Sequence, residues 1–216
     1  MEKHYEITEK QLVFLDGFLL KRYPNISEDT RIELTDHLIS DFEATSENGN
    51  LSQYLSNEVG FIKRFVFNRV NEHQKNYRKQ TWKQFFRFFS DLKLIPITFL
   101  TIMLFYLLSE NLKDKWLWGS FAIIQTTIFM SSIFFGLIRN KKLNKLNEVK
   151  YLGSEIWLSY VLVFLPNGFG FDTFFMSYNF LFITYASFTI IYAFAAFIIV
   201  REKRKIILKK YKHLLN

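Results

Sequence analysis

Apolar residues follow two rhythms along this chain. Up to about residue 93 they recur every third or fourth position, the spacing of one helix face; from 94 to 200 they run in long, nearly uncharged stretches. In the first half, Thr8 to Gln11 is a capping-box pattern, with Thr8 accepting from the Gln11 N–H while the Gln11 side chain reaches back. Leu12, Leu15, Phe18 and Leu19 then mark one face of a helix that Pro24 ends, because the residue before a proline is pushed out of the α region. Asn25 or Ser27 caps a second helix with Glu28 and Asp29 in its first turn, where the macrodipole favours anions. Its stripe is Leu34, Leu38 and Phe42, with Ile39 at the edge. A turn at 47–50 precedes a short third helix over 51–59 that ends near Gly60, and Ile62, Phe65, Val66 and Val70 continue a helical pattern. Narrow stripes on short helices predict a small bundle with a thin core.

The second half predicts four membrane spans, at 92–109, 116–138, 151–171 and 178–200. Residues 116–138 are 23 positions without a charge. At about 1.5 Å per residue they reach roughly 35 Å, enough for a hydrocarbon core of about 30 Å. Trp116 and Trp118 stand at one end, where indoles favour the headgroup layer, and the basic run from Arg139 to Lys142 stops the other. This is the span around which the rest is expected to be arranged. The third span is the least regular: Glu155 lies near its entrance and Pro166 interrupts it, so residues 166–177 read either as a re-entrant segment or as an outer loop. The stretch 81–89 interleaves basic residues with five aromatics. Trp82, Lys83, Phe85 and Arg87 there fit a helix lying in the membrane interface, or the start of the first span.

Charge placement orients this arrangement. Residues 1–60 hold 5 Lys/Arg against 12 Asp/Glu, whereas residues 61–93 hold 9 against 2. The 139–150 loop and the tail from Arg201 carry 12 Lys/Arg together, and the two opposite loops carry only Lys113 and Lys115. Short basic loops stay in the cytoplasm, which puts both termini there. The formal charge of +8 thus belongs to a collar that attracts anionic lipid headgroups, not to a nucleic-acid surface. Half the residues are hydrophobic and 19% aromatic, and no cysteine is present, which excludes disulfides and thiolate chemistry. Met1 to His4 carries no apolar run, so no cleavable signal peptide is expected.

Candidate chemistry is sparse. Glu33, Asp36, His37 and Asp41 lie on the second helix, and the positions 33, 37 and 41 share one face. A single helix supplies neither the geometry nor the full ligand set of a metal site, so these residues read as a polar stripe available to a protein partner. Gln125, Thr126 and Ser131 are polar groups at mid-depth of the second predicted span, where hydrogen bonding between helices is expected. No phosphate loop, dinucleotide loop or serine elbow occurs, and no cofactor is expected.

The run Glu33-Leu34-Thr35-Asp36-His37-Leu38, with an acidic helix end and a short capped helix before it, resembles the HAAS-type α-helical signalling domain over about residues 7–70. That domain precedes membrane spans in many bacterial proteins and is often encoded beside PadR-type transcription regulators. The phenylalanine-glycine pair usual in the family's next segment is replaced here by Asn57-Glu58-Val59-Gly60-Phe61. The resemblance implies a regulatory membrane protein of the inner membrane with no catalytic site. The expected organisation is all-α: a cytoplasmic helical domain over 1–80, an amphipathic segment over 81–93, four spans over 94–200, and a basic tail over 201–216. The expected partners are the bilayer, a protein meeting the N-terminal domain, and a second copy of the chain. The competing expectation is a small transporter subunit, for example of an ABC-type system, or a membrane-embedded enzyme.

Overall fold

A computed structural model describes residues 5–46, 48–136, 143, 147–152 and 154–212. The described residues form helices and the turns joining them, with no strand. In chain order the helices are α1 (Glu9–Arg22), α2 (Glu28–Thr45), α3 (Leu51–Asn57), α4 (Val59–Ser90), α5 (Ile95–Asn111), α6 (Asp114–Gly136), α7 (Asn147–Lys150), α8 (Ser154–Gly168), α9 (Asp172–Met176) and α10 (Asn179–Lys210). The all-α expectation stands. His4, His213 and the basic run 139–142 lie outside the described residues.

The chain forms two compact units. The first comprises residues up to His73 together with 140–150; the second comprises 74–139 and 151 onward. In the first unit the sequence rhythm maps directly onto the core. Leu15 and Leu19 of α1, Leu34, Leu38 and Phe42 of α2, Leu51 and Leu55 of α3, and Ile62 of α4 form one buried cluster. Thr8 caps α1 as a full capping box with Gln11. Ser27 caps α2, and the Asn50 side chain accepts from the Gln53 N–H at 3.1 Å to cap α3. The turn before α3 is built around Gly49, whose φ of +66° favours a residue without Cβ. A Cβ there would also clash with the Tyr5 ring, which packs edge-on against Phe42. α7 belongs to this unit too: the Asn147 N–H donates to the Asn25 carbonyl at 3.0 Å, and Leu143 just before it is fully buried.

The second unit is arranged around α10, not around 116–138. Within it α10 packs against α5, α6, α8 and α9, and 61% of its most apolar window is buried against 28% for α6. The reason is composition: Ala186, Ser187, Ala193, Ala195 and Ala196 are buried small residues that let neighbouring backbones approach. Phe105, Phe121 and Phe182 meet in edge-on pairs where α5, α6 and α10 converge.

Four apolar runs do not become four clear spans. Among the described residues, α6 and α10 are long and apolar enough to cross a membrane, and a third crossing arises if α4 and α5, which meet at 84°, count as one broken span. α8 has 15 residues. Gly170, at φ +71°, turns the chain so that the Phe171 N–H reaches back to the Pro166 carbonyl, and the helix stops at Gly168. Residues 166–177 are therefore the end of α8, a tight turn and the short α9.

α4 also differs from expectation, because the third helix ends at Asn57 and a single helix then runs through Gly60 to Ser90. Its corner with α5 is fixed by side chains. Asp91 accepts from the Lys93 N–H at 3.0 Å and from Arg87 at 3.1 Å, and the Thr98 hydroxyl donates to the Phe88 carbonyl at 2.7 Å. Pro96 sits in the first turn of α5, where its missing N–H costs nothing.

Candidate functional site

The most unusual chemistry of the second unit gathers where α4, α8 and α10 meet. The Glu155 side chain, in the first turn of α8, is 3% exposed. One of its oxygens accepts from Arg78 Nε at 3.2 Å and the other from the Tyr192 hydroxyl at 2.6 Å. A buried carboxylate demands such partners, since an unpaired charge out of water costs several kcal/mol. Arg78 comes from α4 and remains 55% exposed. Tyr192 comes from the buried face of α10, and the Trp82 ring packs on it at 5.0 Å. The cluster is thus an ion pair with its anion inside and its cation at the rim.

A groove of about 400 Å³ adjoins this cluster, walled by Trp82, Phe85, Leu158, Leu162, Phe188 and neighbouring side chains. Of its polar residues, three are already engaged, and the exposed Thr184 has no hydrogen bond among the described residues. The Tyr192 hydroxyl is on Glu155, the Thr189 hydroxyl donates to the Tyr185 carbonyl at 2.9 Å, and the Tyr185 hydroxyl donates to the Leu162 carbonyl. That last bond has a backbone cause: Pro166 has no N–H, so the carbonyl four residues earlier loses its helical partner and takes one from α10. A second apolar groove of about 490 Å³ lies on the other side of Phe188, between α5 and α10.

Other residues singled out in the sequence are distributed differently. Glu33 pairs with Arg69, His37 lies edge-on to Phe65 at 5.7 Å, and Asp41 accepts from the Tyr54 hydroxyl at 2.7 Å. Burial, then the Asp41 carboxylate, push the Tyr54 hydroxyl well above its ordinary range. Asp36, His37 and Asp41 are exposed on one helix, but their contacts diverge, and no cluster of metal ligands forms among the described residues. Gln125 is fully buried on α6 with neither amide atom bonded among the described residues, while Thr126 and Ser131 are half-buried. Phe85 is 2% exposed and packs on Phe188 of α10, so it is a core residue. Trp82, Lys83, Arg87 and Trp116 are exposed, and Trp118 packs on Phe121.

Sequence reasoning missed Arg78, Glu155 and Tyr192 as a set. The available signal was Glu155 itself, a carboxylate opening an apolar helix. Its cation lies 77 positions away among many basic residues, so no local spacing could single it out. No known protein family, curated protein or solved structure matches the chain.

Proposed function

We propose that this chain is an integral membrane regulator: a cytoplasmic helical domain that binds a protein partner, attached to four membrane-crossing segments with both termini inside, and without catalysis of its own. The single observation that carries this reading is the first unit, a closed helical core whose α2 leaves Asp36, His37 and Asp41 exposed. α6 and α10 supply two crossings; α5, turned by 84° from α4, and the short α8 supply the other two in this reading. The HAAS-type resemblance points the same way.

The test is co-purification from membranes with the full chain, comparing wild type with the double change Asp36→Ala and His37→Ala. Loss of the same partner band with unchanged thermal unfolding supports the reading; an identical partner set rejects α2 as the contact. Reporter fusions after Asn216 check orientation, and an external C-terminus would overturn the four-span topology.

The buried Glu155 with Arg78 and Tyr192 favours a second reading, a transporter subunit or membrane-embedded enzyme, because ionisable groups within apolar helices often mark pathways. A neighbouring gene for an ABC-type ATPase would favour that reading, and one for a transcription regulator the first.

A further inference from the structure

We propose that the groove between α4, α8 and α10 holds one hydrocarbon chain of an anionic lipid, with the lipid phosphate received by Arg78. The proposal rests on the membrane reading above and deepens it by naming a site and a ligand class.

The wall chemistry selects a hydrocarbon. Tyr185, Thr189 and Tyr192 face the groove with each hydroxyl already donated to a protein oxygen, which leaves the exposed Thr184 hydroxyl at the α10 side as the one lining hydroxyl without a hydrogen bond among the described residues. A polar ligand would find almost no donor there, whereas an alkyl chain loses nothing. The volume of about 400 Å³ falls within the roughly 300–1,000 Å³ of ligand-sized sites. Half-exposed Trp82, Leu158 and Phe188 form its rim, so the groove opens sideways and not only at an end.

The charge at one end selects the headgroup. Arg78 stands one helical turn before Trp82 on α4 and commits only Nε to Glu155, so both terminal nitrogens of the guanidinium have no partner among the described residues. That fork matches a phosphate with two parallel hydrogen bonds. Glu155 alone would balance one cation, but Lys75, Lys79 and Lys83 are exposed on the same stretch of α4 and keep the local sign positive. A zwitterionic headgroup brings its own cation and gains less. Tail and headgroup requirements therefore converge on an anionic lipid.

The experiment is native mass spectrometry of the full chain in detergent, titrated with phosphatidylglycerol, with phosphatidylcholine of the same chains, or with glycerol phosphate. Wild type should retain phosphatidylglycerol about tenfold better than phosphatidylcholine, as expected for charge-assisted bonding to a fork. Arg78→Lys keeps the charge but not the fork and should lower that ratio to about threefold. Leu158→Trp fills the groove and should abolish retention of both lipids; Thr184→Trp fills it from the α10 side and serves if the first variant unfolds. Equal retention of the two lipids by wild type, or a ratio unaltered by Arg78→Lys, would overturn the site. Binding of glycerol phosphate as tight as the intact lipid would overturn the role of the groove. Alkaline extraction of membranes judges the membrane reading separately: a chain released by carbonate is not integral, whatever the lipid result.

Discussion

The two units of this chain treat polar groups in opposite ways. In the first, ion pairs ride on the surface: Arg31 with Asp16, Arg69 with Glu33, and Arg69 with Glu72 at 2.7 Å all join side chains that are 24–60% exposed. Such pairs are worth about 0–1 kcal/mol, and the unit is held by its leucine core instead. In the second, several buried polar groups sit where the apolar packing leaves a defect. Tyr185 answers a carbonyl freed by Pro166, Thr98 covers the last turn of α4, and Arg204 donates to the Phe135 carbonyl at 2.8 Å at the end of α6. The lesson is that the same side chain carries different weight in each place. A surface carboxylate decorates, whereas the buried Glu155 must be answered.

This contrast can be broken most forcefully at Arg78. Arg78→Ala leaves the Glu155 charge buried and should cost about 3–5 kcal/mol in thermal or denaturant unfolding of the detergent-solubilised chain. Glu155→Gln, which removes the charge and keeps a hydrogen-bonding group for Tyr192, should cost less. In the first unit the comparable loss comes from apolar truncation: Leu38→Ala should cost about 2–5 kcal/mol, whereas Arg31→Ala should cost at most about 1. Limited proteolysis that cuts within residues 5–73 of the L38A chain, but not of R31A, would confirm it. Gly49→Ala follows, at about 1–3 kcal/mol, since it strains a left-handed residue and pushes on Tyr5.

Smaller effects sharpen the picture. Tyr185→Phe should cost about 0.5–2 kcal/mol, the range for one hydrogen bond between apolar helices, read as a shift in unfolding midpoint. Least is expected at Asp91. The Lys93 N–H, followed by Arg87, holds its carboxyl below the usual carboxylate range. A depressed carboxylate stabilises the fold above its unfolded pKa and loses that contribution as pH falls through the folded value. Asp91→Asn should therefore flatten a shallow acid-side decline in stability below about pH 4, measured by unfolding midpoints across pH.

How much of this was legible in the sequence follows the same division. The first unit was readable because its determinants are local: Thr8 and Gln11 are three residues apart, and Leu34, Leu38 and Phe42 each follow by one turn. The second unit was readable only as a set of apolar runs. Which run becomes the hub depends on the small residues of α10, and how long each helix is depends on the corner at Asp91 and the turn at Gly170. Periodicity is silent on both, since a helix apolar on all sides has no stripe to read. The α4 aromatics divide in the structure: Phe85 and Phe88 join Tyr77 and Thr81 in a buried stripe while Trp82, Phe86 and Phe89 are exposed, and the interleaved Lys and Arg hide that difference in the sequence.

The bonds between α8 and α10 form two rungs. Glu155 and Leu162 are two turns apart on one helix, as Tyr185 and Tyr192 are on the other, and they pair in antiparallel order. Arg78 answers the Glu155 charge, but the second carboxylate oxygen and the orphaned Leu162 carbonyl are met by phenols that emerge later from the ribosome. During synthesis α8 is thus a segment in debt, unable to settle in its final environment until α10 follows. A chain halted before residue 178 should leave α8 poorly packed and open to degradation, and register between the two helices should be set by the rungs instead of by their apolar surfaces.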